Sequence, residues 1–117
     1  MAKNLVYADG EKLSVVCSDP ATPKSGDPVL AGQIPAVAVT NERADGTTSV
    51  DTAGVWNLSV KGVDGSGNSA VAVGDILYYV AADTPKLSKK ATGVRYGYAM
   101  AAITSGSTAT IPVKLGY

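Results

Sequence analysis

The sequence predicts an all-β fold: a compact β-barrel or β-tulip-like sandwich of short strands, with little or no helix and an extended N-terminal arm. Three observations predict it. Turn-forming clusters such as Asp19-Pro20, Ser25-Gly26-Asp27-Pro28 and Asp64-Gly65-Ser66-Gly67-Asn68 recur every eight to twelve residues. The intervals between them are short and rich in Val, Thr, Ile and Tyr, a spacing typical of sandwiches and barrels. Several intervals alternate apolar and polar side chains, which buries one face of a strand and wets the other.

Composition fits this class. The 117 residues include no Phe and one Trp, so Val, Leu, Ile, Ala and six tyrosines must fill the core. Small side chains suit thin β layers. A chain of this length forms one compact domain able to bury its own core.

Residues 1–10 read as an arm and first turn, and 11–117 as a single β domain. In the arm, Leu5 and Tyr7 alternate with Asn4 and Val6 before charge returns at Asp9. That stretch is too short for a secretory apolar region, so folding in a reducing cytoplasm is expected. Leu13, Val15 and Cys17 alternate next. From Val50 to Val60 the even positions are apolar or small, against Ser49, Asp51, Asn57, Ser59 and Lys61. Residues 81–92 are charged and turn-rich, a loop or hairpin tip with room for one helical turn. The stretch from Tyr96 to Thr104 reads as a strand, for want of a capping box and because glycine and tyrosine open it. Ile111, Val113 and Leu115 form the last strand, and Pro112 within it suggests an edge strand or a strand's first residue.

A weak internal repeat runs through the domain. "SGDPVLAG", "IPAVAVT" and "GTTSVDTAGVWNL" are matched by "VGDILYYV", "VRYGYAMAAIT" and "GSTATIPVKL". This divides the domain into two similar meander halves, about 24–62 and 72–115, with an insertion over 81–92. Gly26-Asp27 and Gly74-Asp75 fall at matching places, each just before a strand. Glycine supplies an unusual backbone angle there, and aspartate bonds to nearby backbone. Twin positions in a repeat favour a structural turn over a catalytic carboxylate.

The residues offer little chemistry. No histidine is present, which removes the commonest general base and metal ligand. The single cysteine, Cys17, excludes an intrachain disulfide and a thiolate zinc cluster. Ten basic and ten acidic residues cancel, which weakens any case for nucleic acid. Gly65 to Ala70 fits the G-x-G-x-x-A string, but β-branched residues follow where a phosphate-binding helix is required. Asp64, Ser66 and Asn68 resemble a calcium loop without its central glycine or closing glutamate. Lys86, Lys89 and Lys90 read as a solvated cluster, too few for strong phosphate binding. Tyr78, Tyr79, Tyr96 and Tyr98 read as core or subunit-interface packing, with a stacking surface for sugars as the alternative. No catalytic, cofactor-binding or metal-ligating residue is assigned, and no membrane span is expected.

The "MAKNLVYADGEKL" start, "SGDPV", "TAGVWNLSV", "AVGDILYYV" and the terminal "ATIPVKL" together resemble the capsid cement proteins of tailed bacteriophages, small head-decoration proteins. The likeness covers nearly the whole chain. It departs at Ile34-Pro35-Ala36, where glycine commonly opens the strand, and in the lysine-rich insertion after Ala82. The resemblance implies a β domain on the outside of an expanded head, bridging major capsid protein subunits, usually as a trimer at local three-fold positions. No cofactor is implied. The arm residues Ala2, Lys3, Asn4, Leu5, Val6 and Tyr7 are the expected capsid contact, as an extended strand joining a partner's sheet. Two other classes compete: a carbohydrate-binding module on a virion surface, and a nucleic-acid-binding accessory protein.

Overall fold

A computed structural model describes residues 12–116. The described residues hold no helix. The strands are β1 (Lys12–Val15), β2 (Pro28–Ala31), β3 (Ile34–Ala38), β4 (Thr48–Asp51), β5 (Val55–Lys61), β6 (Val63–Asp64), β7 (Gly67–Asn68), β8 (Ile76–Tyr79), β9 (Leu87–Ser88), β10 (Val94–Ala99) and β11 (Thr108–Leu115). The first four make a sheet in the order β1-β4-β3-β2. Five others close a barrel in the order β10-β11-β5-β9-β8, and β6 with β7 forms a separate hairpin. The all-β expectation therefore holds, with a closed barrel as its main element.

Local patterning explains the barrel strands. Along β11 the exposed Thr108, Thr110, Pro112 and Lys114 alternate with inward residues that include the buried Ile111, Val113 and Leu115. β5 does the same, with Leu58 and Val60 inside. Pro112 lies within β11 and not at its start or on a barrel edge. It is tolerated because pairing with β10 stops at Ala99↔Val113, so its missing N–H falls where that ladder ends. Its carbonyl still accepts a hydrogen bond from Met100 N at 2.9 Å.

Three other expectations change in detail. The alternating run from Val50 to Val60 is two strands in two sheets, broken at Gly54, whose φ of 98° reverses the chain. Residues 81–92 contain no helical turn and instead supply β9, whose Leu87 and Ser88 are buried. Leu87 is the only large aliphatic in that segment, so its burial sets the path. It pairs parallel with Val60 and antiparallel with Tyr79, which closes the barrel. The stretch from Tyr96 to Thr104 is strand only to Ala99; beyond it, Ile103 bridges to Val71.

The two sheets share one strand order. β1-β4-β3-β2 is repeated as β5-β11-β10-β8, all antiparallel, with β9 added to complete the barrel. The registers agree: Pro28↔Val37 matches Ile76↔Tyr98, and Ala38↔Val50 matches Ala99↔Val113. Val55–Lys61 thus stands where β1 stands and opens the second unit, one strand earlier than the sequence division suggests.

Two cores result. One fills the barrel with Leu58, Val60, Leu77, Tyr79, Leu87, Tyr96, Ile111, Val113 and neighbours, and it also takes in Leu30 and Val37 from the four-stranded sheet. The other face of that sheet packs Val29, Ala36, Ala38 and Val50 around Cys17. The sheet is therefore buried on both faces and seals one side of the barrel.

Candidate interaction surface

Each Gly-Asp pair builds the same local device. Gly26 has a φ of 91°, Asp27 N donates to Lys24 O at 3.0 Å, and the Asp27 carboxylate accepts Lys24 N at 3.0 Å. Gly74 has a φ of 90°, Asp75 N donates to Ala72 O at 3.1 Å, and the Asp75 carboxylate accepts Ala72 N at 2.8 Å. Both turns then clip onto a neighbouring strand. Gly26 N donates to Ala38 O and Ala38 N to Asp27 O; Gly74 N donates to Ala99 O and Ala99 N to Asp75 O. The Asp75 carboxyl sits below the usual carboxylate range, first because of the Ala72 amide and then because of Lys89. These carboxylates are occupied by backbone.

The joint between the sheet and the barrel is polar at two points. Tyr96 Oη donates to Ala36 O at 2.6 Å, and the Tyr79 hydroxyl donates to the Asp19 carboxylate. Lys86 Nζ reaches the same carboxylate oxygen at 2.7 Å. Burial pushes the Asp19 carboxyl upward, but the Lys86 and Tyr79 hydrogen bonds outweigh it and leave the group below its ordinary value. Burial drives the Tyr79 and Tyr96 hydroxyls well above theirs. The two rings stack at 6.0 Å between centroids. Beside this joint lies an open cleft of about 270 Å³, flanked by Pro20, Pro28 and Pro85.

The outer face of the barrel has a different character. A bulge between Arg95 and Gly97 shifts the β10 register. Arg95 and Tyr98 are three apart, so a regular strand would place them on opposite faces; the bulge puts them on one. Arg95 donates to the Tyr98 hydroxyl at 2.6 Å. The Arg95 guanidinium and the Lys114 ammonium lie 5.6 and 5.9 Å from the Tyr98 ring centre. Cross-strand pairing sets Ile76, Tyr98, Lys114 and Val55 in one row over four strands. Val55 is 55 % exposed and Met100, just beyond β10, is 45 % exposed.

The other sequence candidates are distributed as follows. The arm residues Ala2, Lys3, Asn4, Leu5, Val6 and Tyr7 lie outside the described residues. Tyr79 and Tyr96 are core residues, while Tyr78 and Tyr98 are half-buried on the outside, so the four do not form one platform. Lys86, Lys89 and Lys90 each face a carboxylate, of Asp19, Asp75 and Asp83 respectively. Asp64 accepts Ser66 N at 2.8 Å inside the β6–β7 hairpin, as a turn residue does. Among the described residues, no three His, Cys, Asp or Glu side chains gather as metal ligands would. Sequence reasoning did not find the Asp19–Lys86 pair, separated by 67 positions, or the Arg95–Tyr98 pair. Only the bulge reveals the second.

Residues 7–115, nearly the whole described domain and five positions before it, match the phage cement protein family. The chain belongs to that family. No curated protein and no solved structure matches it significantly. Membership gives this cement protein a structural role in a phage capsid. The geometry suits that role: a doubly cored β domain, with Asp27, Asp64 and Asp75 held in turns and Asp19, Asp75 and Asp83 in ion pairs, and one apolar, cationic sheet face turned outward.

Proposed function

We propose that the chain is a head-decoration protein that binds the outside of an expanded phage head, bridges neighbouring major capsid protein subunits and stiffens the shell. In this reading it sits as a trimer at local three-fold positions, and it catalyses no reaction. The family match over residues 7–115 carries the proposal. Physical chemistry supports it, because many modest contacts repeated over a lattice lock a shell by multivalency. The arm Ala2 to Tyr7 is the proposed capsid contact, adding an extended strand to a partner's sheet. Burial of Tyr79 and Tyr96 counts against the sugar-binding alternative, which needs exposed rings.

The test is co-sedimentation with expanded, empty cognate heads, comparing the full chain with one lacking Ala2 to Tyr7. Saturable binding that raises the heat resistance of the shell, and that weakens in the truncation, is the expected result. Binding that survives truncation would remove the arm from the proposal and leave the role. No binding to the cognate head would remove the role itself.

A further inference from the structure

The direction of the backbone hydrogen bonds shows that β9 closes the barrel at one level only. Leu115 N donates to Gly54 O at 3.0 Å and Gly62 N to Ser107 O at 2.8 Å, at the two ends of the β5–β11 ladder. Bonded pairs alternate in an antiparallel ladder. Trp56, Leu58 and Val60 therefore turn their backbone groups toward β11, and Val55, Asn57 and Ser59 turn theirs away. On that outer side β9 pairs with β5 at Val60 alone, which engages the Ser59 carbonyl. Among the described residues, the Asn57 N–H and C=O and the Ser59 N–H have no backbone partner.

Folded proteins usually blunt such an edge with proline, charge or a covering segment. The outer edge of β2 follows that rule: it carries Pro28, and Asp19 bridges to Leu30. The edge of β5 does not. From Val55 to Ser59 it holds neither proline nor charge, and the side chains of Val55, Asn57 and Ser59 are exposed. A bare, uncharged edge of this kind is the template that an added strand pairs with.

The space beside the edge defines what can enter. The cleft of about 270 Å³ is lined by Ser59 of β5, Pro85 and Lys86 ahead of β9, and Pro20, Asp27 and Pro28 of the first unit. Pro85 has no N–H, so β9 cannot extend its pairing back along β5 toward Asn57. None of the three prolines donates, which leaves β5 as the wall that bonds an incoming backbone. Neighbouring strands lie about 4.8 Å apart. A folded sheet edge would drive its next strand into the pyrrolidine rings, whereas a single extended chain fits. The open stretch of β5 pairs with about five residues, roughly 16 Å of extended backbone.

We propose that the outer edge of β5 over Val55–Ser59 accepts an extended segment of the major capsid protein as an added strand. The segment has no proline, because each missing N–H would break the pairing. Its alternate side chains are small and apolar, to lie against the proline rings of the cleft. The arm Ala2 to Tyr7 is already assigned to a partner's sheet, so the occupant comes from the shell and the exchange of strands is mutual. The proposal rests on the reading of the chain as a head-binding protein and locates the shell contact on the β domain.

The experiment measures binding of the full chain to expanded, empty cognate heads, with two substitutions at one site. Asn57→Pro removes the outward N–H without touching the β11 ladder, and Asn57→Ala removes only the side chain. Thermal unfolding checks that both remain folded. Asn57→Pro should bind about tenfold more weakly, and Asn57→Ala as the unaltered chain does. Amide exchange on the unaltered chain gives a second readout that needs no variant. Free in solution, the amides of Asn57 and Ser59 should exchange fast and those of Trp56 and Leu58 slowly; on the head all four should be slow. A photoreactive residue in place of Asn57 should cross-link to the major capsid protein. Full binding by Asn57→Pro, edge amides that stay fast on the head, or a cross-link to the arm of another copy overturns the proposal. Head binding with an unprotected edge sinks only this inference, whereas an unaltered chain that does not bind the head sinks the capsid role beneath it.

Discussion

The Tyr96 hydroxyl on β10 donates to the carbonyl oxygen of Ala36 on β3 at 2.6 Å, with Tyr96 and Ala36 both fully buried. This bond ties the barrel to the four-stranded sheet at a point where neither group has access to solvent. Tyr96→Phe keeps the ring and removes the donor, so we expect a loss of about 1–2 kcal/mol in unfolding free energy. Tyr96→Ala also opens a cavity and is expected to cost about 3–5 kcal/mol. Urea unfolding of both variants checks the pair. Equal losses would mean that ring packing contributes nothing beyond the hydroxyl.

Glycines in this chain act by two different mechanisms, which substitution separates. Gly26 and Gly74 have φ near +90°, and a Cβ at either meets nothing within 4 Å. Gly26→Ala and Gly74→Ala should each cost about 1–2 kcal/mol through backbone strain alone, and by similar amounts because the turns are alike. At Gly97 a Cβ would lie 2.2 Å from Lys114 O, a backbone atom that cannot step aside. Gly97→Ala should therefore cost about 3 kcal/mol or more and perturb the bulge that aims Arg95. Denaturant midpoints of the three variants order them directly, and a Gly97→Ala protein as stable as Gly74→Ala would refute the close approach.

Much of this architecture is legible in the sequence, for physical reasons that differ by residue. Leu58, Val60, Ile111 and Val113 announce their strands because a period of two in polarity follows from the pleat. The repeated Gly-Asp is legible because only a special backbone angle calls for glycine before a strand. Closure of the barrel by Leu87-Ser88 is not legible, since two residues carry no period and their pairing with Val60 depends on the finished barrel. The Arg95–Tyr98 pair is hidden for a related reason. A bulge inverts the side-chain alternation, and nothing in "VRYGYA" marks where that inversion falls. Val37 and Tyr98 have equivalent places, but their different surroundings emerge only when one unit packs on the other.

Asp19 makes stability depend on acid. Its carboxyl is held below the ordinary value because the bonds from Lys86 and Tyr79 outweigh the effect of burial. The unfolded chain, with a carboxyl near pH 3.9, then takes up a proton more readily than the folded one. The contribution is complete above that pH and is lost as pH falls through the lower folded-state value. Asp75 adds to the same window through its Ala72 amide and Lys89. Asp19→Asn should lower the melting temperature at pH 6–7 and converge on the unaltered protein near pH 2. Melting curves from pH 2 to 7 test this; a constant gap across the series would mean that ionisation of Asp19 does not matter.

Cys17 reports on the opening of the smaller core. It is 9 % exposed, packed among Val29, Ala36, Ala38 and Val50, and burial pushes its thiol above the usual range. Only the thiolate attacks a disulfide reagent, so the folded protein presents a group that is both hidden and protonated. Labelling by an aromatic disulfide at pH 8 should run on the order of 100-fold slower than in urea, because it waits for that core to open. Tyr96→Phe, which loosens the joint on the other side of the sheet, should accelerate labelling if the two cores open together. An unchanged rate in that variant would show that the Cys17 core opens independently of the barrel.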